Sequence, residues 1–147
     1  QRPDETAKVM TADGYFKTGD IGIIDERGYF KIVDRKKDMA LIGGFNVYPN
    51  NVEKVLKDHP AVLEVGVASV KKQEKRGEEA LKAWIVLKPG ETVTEQVLIE
   101  HCAKYLAAYE VPRRYSFIKE LPKTMVGKTL RRELIQMEMD DREKTAQ

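Results

Sequence analysis

The sequence is poor in the residue types that form disulfides and metal sites. It contains one cysteine, Cys102, and only two histidines, His59 and His101, which lie far apart in sequence. A single cysteine cannot form an internal disulfide or a zinc site made of cysteines alone. We therefore expect no metal held by this chain, and we favour a small core residue on a helix face over a nucleophile as the role of Cys102.

Long apolar runs and an excess of one charge sign are also missing. No apolar run reaches the ~18 residues that a membrane-spanning helix needs, and the N-terminal segment QRPDE has neither a Met nor an apolar signal region. The 147 residues include 26 Lys and Arg against 24 Asp and Glu, a net charge of +2. This balance argues against non-specific nucleic-acid binding. We expect a cytoplasmic protein, and we expect this sequence to begin within a longer polypeptide.

The first part of the chain is predicted to end in a β-hairpin. The apolar run 21–24 leads into the turn 25–28, which closes on a glycine, and residues 29–33 form the return strand. The five consecutive charges at 34–38 are then expected to be a solvated connector, because they cannot be buried cheaply. We place a domain boundary here, between residues 1–36 and residues 37–147.

From Met39 onwards the hydrophobic pattern alternates between strands and helices. A helix is expected to start at Pro49, a second to be capped by Thr94, and a last one to run from Leu130 to Met139, with a frayed tail from Asp140. The strands are expected at 39–42, 45–48, 62–70, 80–87 and 115–118. The fold class is therefore α+β: a small domain with a short antiparallel or mixed sheet flanked by helices, preceded by the β-hairpin.

Two segments offer groups that could bind a nucleotide. Asp20 follows a glycine at the start of a strand, where its carboxylate could accept hydrogen bonds from a ribose diol; taken alone, an Asp that caps its own turn is the more common case. Arg35 lies in the charged run and could pair with phosphate or ribose, although most charge runs are solvated linkers.

Two further segments offer a ligand-approach loop and a free ammonium. Gly43 and Gly44 permit positive φ and close approach of a ligand to the backbone, or form an ordinary hairpin turn. They are not a phosphate-binding P-loop, because the required spacing is absent. Lys128 follows a glycine in a loop before a helix, where it could neutralise negative charge that develops at a phosphate or carboxylate, or be one more surface lysine.

The order of these segments carries more information than any one of them. YFKTGD at 15–20 is followed by DRKKD at 34–38, GFNVYPNNVE at 44–53 and PKTMVGKTLRR at 122–132. This series resembles the C-terminal part of the adenylate-forming acyl-CoA synthetases, a superfamily that includes luciferases and peptide-synthetase adenylation domains. The resemblance spans essentially the whole chain, and the residues of its motifs are most similar to those of bacterial long-chain fatty acid CoA ligases.

The resemblance implies a two-step ligation. A fatty acid first attacks the α-phosphate of ATP to form an acyl-adenylate, and CoA then displaces AMP to form the thioester. It also implies that a small C-terminal lid domain swings against its own large N-terminal domain, which holds most of the ATP site, the Mg²⁺ and the acyl pocket. Because positioning supplies much of catalysis, we expect this chain alone to be inactive. The implied location is the cytoplasm, with possible peripheral association of the full enzyme at the inner membrane.

The resemblance assigns nucleotide roles to four residues and a hinge role to a fifth. Lys128 is implied to be the adenylation lysine, which bridges the acyl carboxylate and the α-phosphate. Asp20 is implied to bind the ribose hydroxyls of AMP, with Arg35 supporting the nucleotide beside it. Asn46 is implied to face the AMP phosphate in the thioester-forming orientation, and Lys37 falls at the hinge.

The resemblance assigns CoA roles to five others. Gly43 and Gly44 are implied to line the pantetheine tunnel, where a side chain at Gly44 would block the path. Gly43 departs from the family pattern, because many relatives carry a larger residue such as Ser there. Arg76, Tyr109 and Arg113 are weaker candidates for the nucleotide end of CoA.

Two alternatives stay open from the sequence. The same mechanism could act on another carboxylic acid, such as an aryl acid or an amino acid passed to a carrier protein, because the acyl pocket lies outside this region. The chain could also be a non-enzymatic α+β interaction module, although its opening hairpin looks like part of another domain.

Overall fold

The fold is described by a computed structural model that covers residues 2–71 and 78–145. The chain divides into two compact units, residues 1–37 and residues 38–147. Among the described residues, the first unit holds one helix and one pair of strands, and the second holds every other element.

The first unit contains the predicted hairpin. Strand β1 (Asp20–Ile24) pairs antiparallel with β2 (Phe30–Arg35), with a bulge between Ile21 and Gly22. The Asp25 side chain closes the turn, because its Oδ1 accepts the backbone N–H of both Arg27 and Tyr29 at 2.9 Å. The hairpin predicted from the sequence is therefore confirmed.

A short helix that the sequence analysis did not predict precedes the hairpin. Helix α1 spans Pro3–Val9, with the proline in its first turn. Asp4 and Glu5 lie near its N-terminus and Lys8 near its C-terminus, so its charges complement the helix dipole. This charge order, together with Pro3, was the available indication of the helix.

The charged run at 34–38 is only partly solvated, so the expectation of a solvated connector is wrong at both of its ends. Asp34 belongs to β2 and is 1% exposed, and its Oδ1 accepts the N–H of Arg35 at 2.7 Å. Asp38 is half-buried and pairs with Arg131. Lys36 and Lys37 between them are exposed. Buried carboxylates are tolerated when hydrogen bonds replace their lost hydration, which is the case here.

The second unit is built on a three-stranded sheet with helices and a small hairpin around it. Its elements are β3 (Ala40–Ile42), β4 (Phe45–Val47), α2 (Pro49–Lys57), β5 (Val62–Lys71), β6 (Glu79–Leu87), α3 (Glu95–Ala103), β7 (Arg114–Phe117) and α4 (Arg131–Thr145). The sheet order is β5-β6-β7, in which β5 and β6 are antiparallel and β6 and β7 parallel. Strands β3 and β4 form a separate antiparallel pair. The predicted α+β fold with a mixed sheet is confirmed.

The sheet has a hydrophobic core on each face. Because side chains of a strand alternate between faces, Val67 and Ile85 join the core beneath β3, β4, α2 and α3, whereas Ala68 and Trp84 join the core beneath α4. Leu134 anchors α4 in the second core with no exposed surface. Each layer therefore protects one face of the sheet.

Helix α4 is longer than predicted. It continues to Thr145 rather than fraying from Asp140. The Gln136 amide donates to the Asp140 carboxylate at 2.8 Å, and Arg142 Nε donates to Glu138 Oε1 at 2.6 Å, both at i,i+4 spacing. Such pairs stabilise a polar helix end that has no apolar stripe.

Glu138 compensates buried charge between α4 and the sheet. It is 5% exposed and accepts hydrogen bonds from Lys82, Arg142 and, at 2.7 Å, Arg114. Burial raises the pKa of the Glu138 carboxyl, but the bonds and charges of Lys82 and Arg142 outweigh it, so the pKa lies below its usual value. The Glu138 carboxylate therefore neutralises the buried charge of Lys82 within an apolar layer. Lys82 Nζ also lies 5.0 Å from the centre of the Trp84 ring, within cation–π distance.

The two histidines meet in space despite their separation in sequence. The rings of His59 and His101 lie edge to face at 5.2 Å, and the Nε2 atom of His101 lies 2.8 Å from the Val55 carbonyl oxygen, which ties α3 to α2. Within residues 2–71 and 78–145 no group of three metal-ligating side chains is found. In the same ranges, no helix is both long and apolar enough to span a bilayer.

Cys102 lies in the core with no exposed surface. Burial raises the pKa of its thiol, and burial likewise raises the pKa of the neighbouring Tyr115 hydroxyl. The two groups lie side by side without a hydrogen bond of good geometry. A protonated, enclosed thiol is a poor nucleophile, in agreement with the core role expected for Cys102.

Candidate functional site

Lys128 lies on a small hairpin that connects the end of the sheet layer to α4. Residues Lys123 and Thr129 form an isolated antiparallel bridge at its base. Across the loop, the Thr124 N–H donates to the Lys128 carbonyl at 2.8 Å, and the Lys128 N–H donates back to Thr124 Oγ1 at 3.1 Å. Gly127 makes the reversal possible with φ of +80°. The Thr-x-x-Gly-Lys spacing therefore has a local structural cause, which is to fix the backbone of Lys128.

The hairpin is anchored to the sheet at both ends. Leu121 before it and Leu134 after it are buried in the same core. Gly66 on β5 provides the space, because a Cβ atom there would lie 2.6 Å from Leu134 Cδ1 and 3.2 Å from Thr129 Cγ2. An isolated glycine inside a strand often marks such a close approach, and this indication was available in the sequence.

The side chain of Lys128 extends from this anchored base into solvent. Lys128 is exposed, and its ammonium forms no ion pair or hydrogen bond with any of residues 2–71 and 78–145. A flexible stem that ends in an uncompensated point charge suits contact with a phosphate or carboxylate group. The other lysine of the hairpin, Lys123, differs in its charge environment, because its ammonium pairs with Glu64.

Gly43 and Gly44 form the two-residue turn between β3 and β4. Their φ values are +58° and +88°, and Ile42 and Phe45 pair on either side of them. Positive φ at both central positions is what a type I′ hairpin turn requires. A Cβ atom at either glycine would meet no atom of the chain within 4 Å, so the turn is open on its outer side.

An aromatic pair connects this turn with a second predicted residue. The Phe45 ring stacks on the Tyr109 ring with centroids 4.4 Å apart and planes 10° from parallel. Both side chains remain partly exposed, at 54% and 37%. Asn46 follows Phe45 on β4 and is exposed. The stack thus brings Gly43, Gly44, Asn46 and Tyr109 into one neighbourhood.

Arg113 and Arg76 were the other candidates for this neighbourhood. Arg113 precedes β7, where its N–H donates to the Leu81 carbonyl at 3.0 Å and its side chain is exposed. Arg76 lies outside the residues that the structure describes. The structure therefore places Arg113 at the sheet edge and gives no position for Arg76.

Asp20 and Arg35 face each other across the first hairpin. They are register partners on β1 and β2, and Arg35 Nε donates to Asp20 Oδ1 at 2.9 Å. The Asp20 N–H donates to Thr18 Oγ1 at 3.2 Å, so the Thr18 hydroxyl accepts a backbone N–H of this turn while the Asp20 carboxylate pairs with Arg35. Lys37, the predicted hinge, is exposed and lies in the turn after β2, at the last position of the first unit.

The structure thus distributes the predicted residues over three places. Asp20 and Arg35 form a pair in the first unit, the glycine turn lies near Tyr109 in the second unit, and Lys128 lies on its own hairpin in the second unit. The sequence motifs gave no separate role to Thr124, Gly66 or Phe45, although all three residues support these places.

Sequence comparison places the chain among adenylate-forming enzymes. The model of the AMP-binding enzyme C-terminal domain matches residues 51–128, more than half of the chain. The long-chain-fatty-acid–CoA ligase of Bacillus subtilis is 47% identical over 140 residues, which cover 95% of this chain and 24% of that protein. The enzyme of the same name from Yersinia pestis is 51% identical over 134 residues, which cover 91% of this chain and 23% of that protein.

Structure comparison agrees. The crystal structure of ATP-bound MatB from Rhodopseudomonas palustris superposes with a TM-score of 0.85 at 34% identity, over 93% of this chain and 27% of that one. The chain spans about a quarter of the length of the relatives that it matches. The resemblance to adenylate-forming synthetases is confirmed, and the chain belongs to the family of AMP-binding enzyme C-terminal domains.

Proposed function

We propose that this chain is the C-terminal part of an ATP-dependent, AMP-forming fatty acid CoA ligase. The family match and the names of the relatives support the adenylate-forming chemistry and the fatty acid substrate. In this proposal, residues 1–36 end the large N-terminal domain, Lys37 is the hinge, and residues 37–147 are the mobile lid. The large domain supplies most of the ATP site, the Mg²⁺ site and the acyl pocket.

The observation that supports this proposal most directly is the exposed ammonium of Lys128, which has no partner among residues 2–71 and 78–145. In the first step, a carboxylate oxygen of the acid attacks the α-phosphorus of ATP and pyrophosphate leaves. Negative charge on the acid and on the α-phosphate must approach each other in that step. The Lys128 ammonium would bridge the two groups and stabilise this charge, while its backbone is held by Thr124.

Other residues have supporting roles in this scheme. The Asp20 carboxylate would accept hydrogen bonds from the ribose hydroxyls, held in place by Arg35. In the second step, the CoA thiol attacks the acyl carbon and AMP leaves. The open turn at Gly43 and Gly44 would let the pantetheine arm pass, and Asn46 would face the AMP phosphate.

The CoA nucleotide would lie at the aromatic pair of this lid. Tyr109 offers an exposed ring face beside the glycine turn, and Arg113 and Arg76 would supply positive charge toward the phosphates. The full enzyme would act in the cytoplasm with peripheral association at the inner membrane, because long-chain acids partition into lipid.

Lys128→Ala in the complete enzyme tests the adenylation role. We expect pyrophosphate release to fall by about 100-fold or more, whereas thioester formation from preformed acyl-adenylate should change little. Lys119→Ala removes another exposed lysine close to the hairpin and serves as the matched control. An equal loss in both half-reactions, or the same loss in the control, would refute the assignment.

Gly44→Leu tests the role of the glycine turn. We expect pyrophosphate release to persist and thioester formation to stop, because the added side chain would fill the path of the pantetheine arm. Gly90→Leu is a matched control, since Gly90 also has a positive φ, +78°, and open space around its Cβ position. Normal thioester formation by the Gly44 variant, or its loss in both variants, contradicts the tunnel role.

A further inference from the structure

Arg131 connects four parts of the second unit through one side chain. It is the first residue of α4, three positions after Lys128, and its side chain is only 18% exposed. Its guanidinium reaches Glu53 on α2, the Val67 carbonyl on β5, and Asp38, which lies 93 residues away in sequence. One side chain thus joins α4, α2, β5 and the segment before β3.

The donors of the guanidinium fork are divided among these partners. Nε donates to the Val67 backbone carbonyl at 3.0 Å, and Nη1 donates to Asp38 Oδ2 at 3.3 Å. Nη2 donates to Glu53 Oε1 at 2.8 Å and also to the side-chain amide oxygen Oδ1 of Asn50. Glu53 Oε1 also accepts the N–H of Val67 at 2.8 Å. A planar group held from several sides cannot rotate, and a lysine could not reproduce these directions.

One of these contacts joins the chain next to the proposed hinge to the base of the Lys128 hairpin. Asp38 directly follows Lys37, and Arg131 directly follows the hairpin and Leu130. We propose that Arg131 is a positioning residue: its contact with Asp38 makes the segment after the hinge and the Lys128 hairpin move as one rigid body. A rotation at Lys37 then carries the Lys128 ammonium to a defined place. This inference rests on the proposed function.

The inference predicts a selective effect on the first half-reaction. Only adenylation needs the Lys128 ammonium at the reacting groups, and a misplacement of about 1 Å can cost about 100-fold in rate. The thioester step turns the same domain to a different orientation and uses the glycine turn. Loosening the Asp38 contact should therefore slow adenylation and spare thioester formation.

Asp38→Asn in the complete enzyme is the sharpest test. It removes one charge from Arg131 and leaves the contacts with Glu53 and Val67 in place. We expect kcat for pyrophosphate release to fall by about 10-fold, KM for ATP to change by less than about twofold, and thioester formation from preformed acyl-adenylate to stay within about twofold of the unchanged enzyme. Arg131→Lys should shift the ratio of the two half-reactions in the same direction.

Glu64→Gln is the matched control. It breaks the ion pair between Glu64 and Lys123 at the same hairpin, a pair that is more exposed than that of Asp38 and Arg131 and does not involve either of them. We expect its ratio of half-reaction rates to be that of the unchanged enzyme. The inference is overturned if Asp38→Asn slows both half-reactions equally, slows neither, or acts no differently from Glu64→Gln.

The Lys128→Ala variant separates this inference from the proposed function. If Lys128→Ala abolishes adenylation while Asp38→Asn has no selective effect, the positioning role of Arg131 is wrong and the proposed function stands. If Lys128→Ala leaves adenylation intact, the proposed function itself fails.

Discussion

The two units of the chain differ in what they do with apolar side chains. Among the described residues, every buried apolar side chain lies between Ala40 and Leu134, in the second unit. The first unit has no buried apolar side chain among its described residues, and seven of its large apolar residues are 52% to 71% exposed: Tyr15, Phe16, Ile23, Ile24, Tyr29, Phe30 and Ile32. The second unit therefore has a hydrophobic core, whereas the first unit has large apolar side chains that remain exposed.

This difference indicates how each unit is stabilised. A two-stranded ribbon is marginally stable on its own in water, and contiguous exposed apolar surface marks a contact with another surface. The second unit needs no such help, because its sheet is covered on both faces. The contrast supports the proposal that residues 1–36 complete a large domain, while the lid is a self-contained body.

Separating the two units should give the largest effect. We expect residues 38–147 alone to unfold cooperatively in urea, and the peptide 1–37 alone to lack a stable hairpin. Trp84 is the sole tryptophan of the sequence and is 2% exposed in the second unit, so its fluorescence follows that unit alone. Strand chemical shifts measured by NMR report on the peptide.

Two results would contradict this comparison. One is a peptide 1–37 with a stable, register-matched hairpin, which would show that the exposed apolar residues do not need cover. The other is a fragment 38–147 without a cooperative Trp84 transition, which would show that its two cores depend on the first unit. The 147-residue chain is the reference for both measurements.

Removing a core side chain should give the next largest effect. Leu134 has no exposed surface and packs over Gly66, so Leu134→Ala should lower the free energy of unfolding by about 2–5 kcal/mol. Leu41 is 58% exposed, and Leu41→Ala should cost no more than about 0.5 kcal/mol. Urea unfolding followed by Trp84 fluorescence measures both.

The first unit provides a third arm of the same experiment. Ile24 is 70% exposed, so Ile24→Ala should leave the Trp84 transition within about 0.5 kcal/mol of the unchanged chain. A loss as large as that of Leu134→Ala would show that Ile24 contributes to the core of the second unit, and the distinction between the two units would not hold.

The sequence predicted the structural features that depend on interactions between residues close together in the chain. The hairpin at Asp25–Gly28, the helix start at Pro49 and the Thr94 cap all depend on neighbours within a few residues, and all are present. The charge order of α1 was as local as these and could have been used. The element boundaries were predicted less exactly, because α4 continues to Thr145 beyond the predicted end at Met139.

Contacts over long sequence distances were not predictable in the same way. The burial of Asp34 and the pairing of Asp38 with Arg131 depend on partners that no spacing rule places. The same holds for the stack of Phe45 on Tyr109 and for the approach of His59 to His101. A charge run is solvated by default, and it takes the fold to show which of its members have partners.

A pH response near neutrality is the smallest effect that separates the units. Both histidines lie in the second unit, and residues 2–37 contain none. Burial lowers the pKa of His59 below 6.5, and the nearby His101 lowers it further. Lys104 and Lys88 also lower this pKa, whereas Glu91 raises it. When neutral, His59 accepts the Ala61 N–H at Nδ1, a contact that protonation of that nitrogen would remove.

The sign of the effect follows from proton binding. The unfolded chain protonates His59 near pH 6.5 and the folded chain only at lower pH, so the unfolded state binds more protons in between. The stabilisation is complete above pH 6.5 and is lost as the pH falls through the folded pKa. We therefore expect a lower urea midpoint of the Trp84 transition at pH 5.5 than at pH 7.5. The change should be smaller than that of Leu134→Ala.

His59→Gln tests this contribution while His101 stays in place. The variant should show a smaller difference between the two midpoints, because it removes one group whose proton affinity changes on folding. An unchanged or larger difference would assign the pH response to other groups. The same pair of measurements on the fragment 38–147 should reproduce the difference in full, since the first unit has no histidine to add to it.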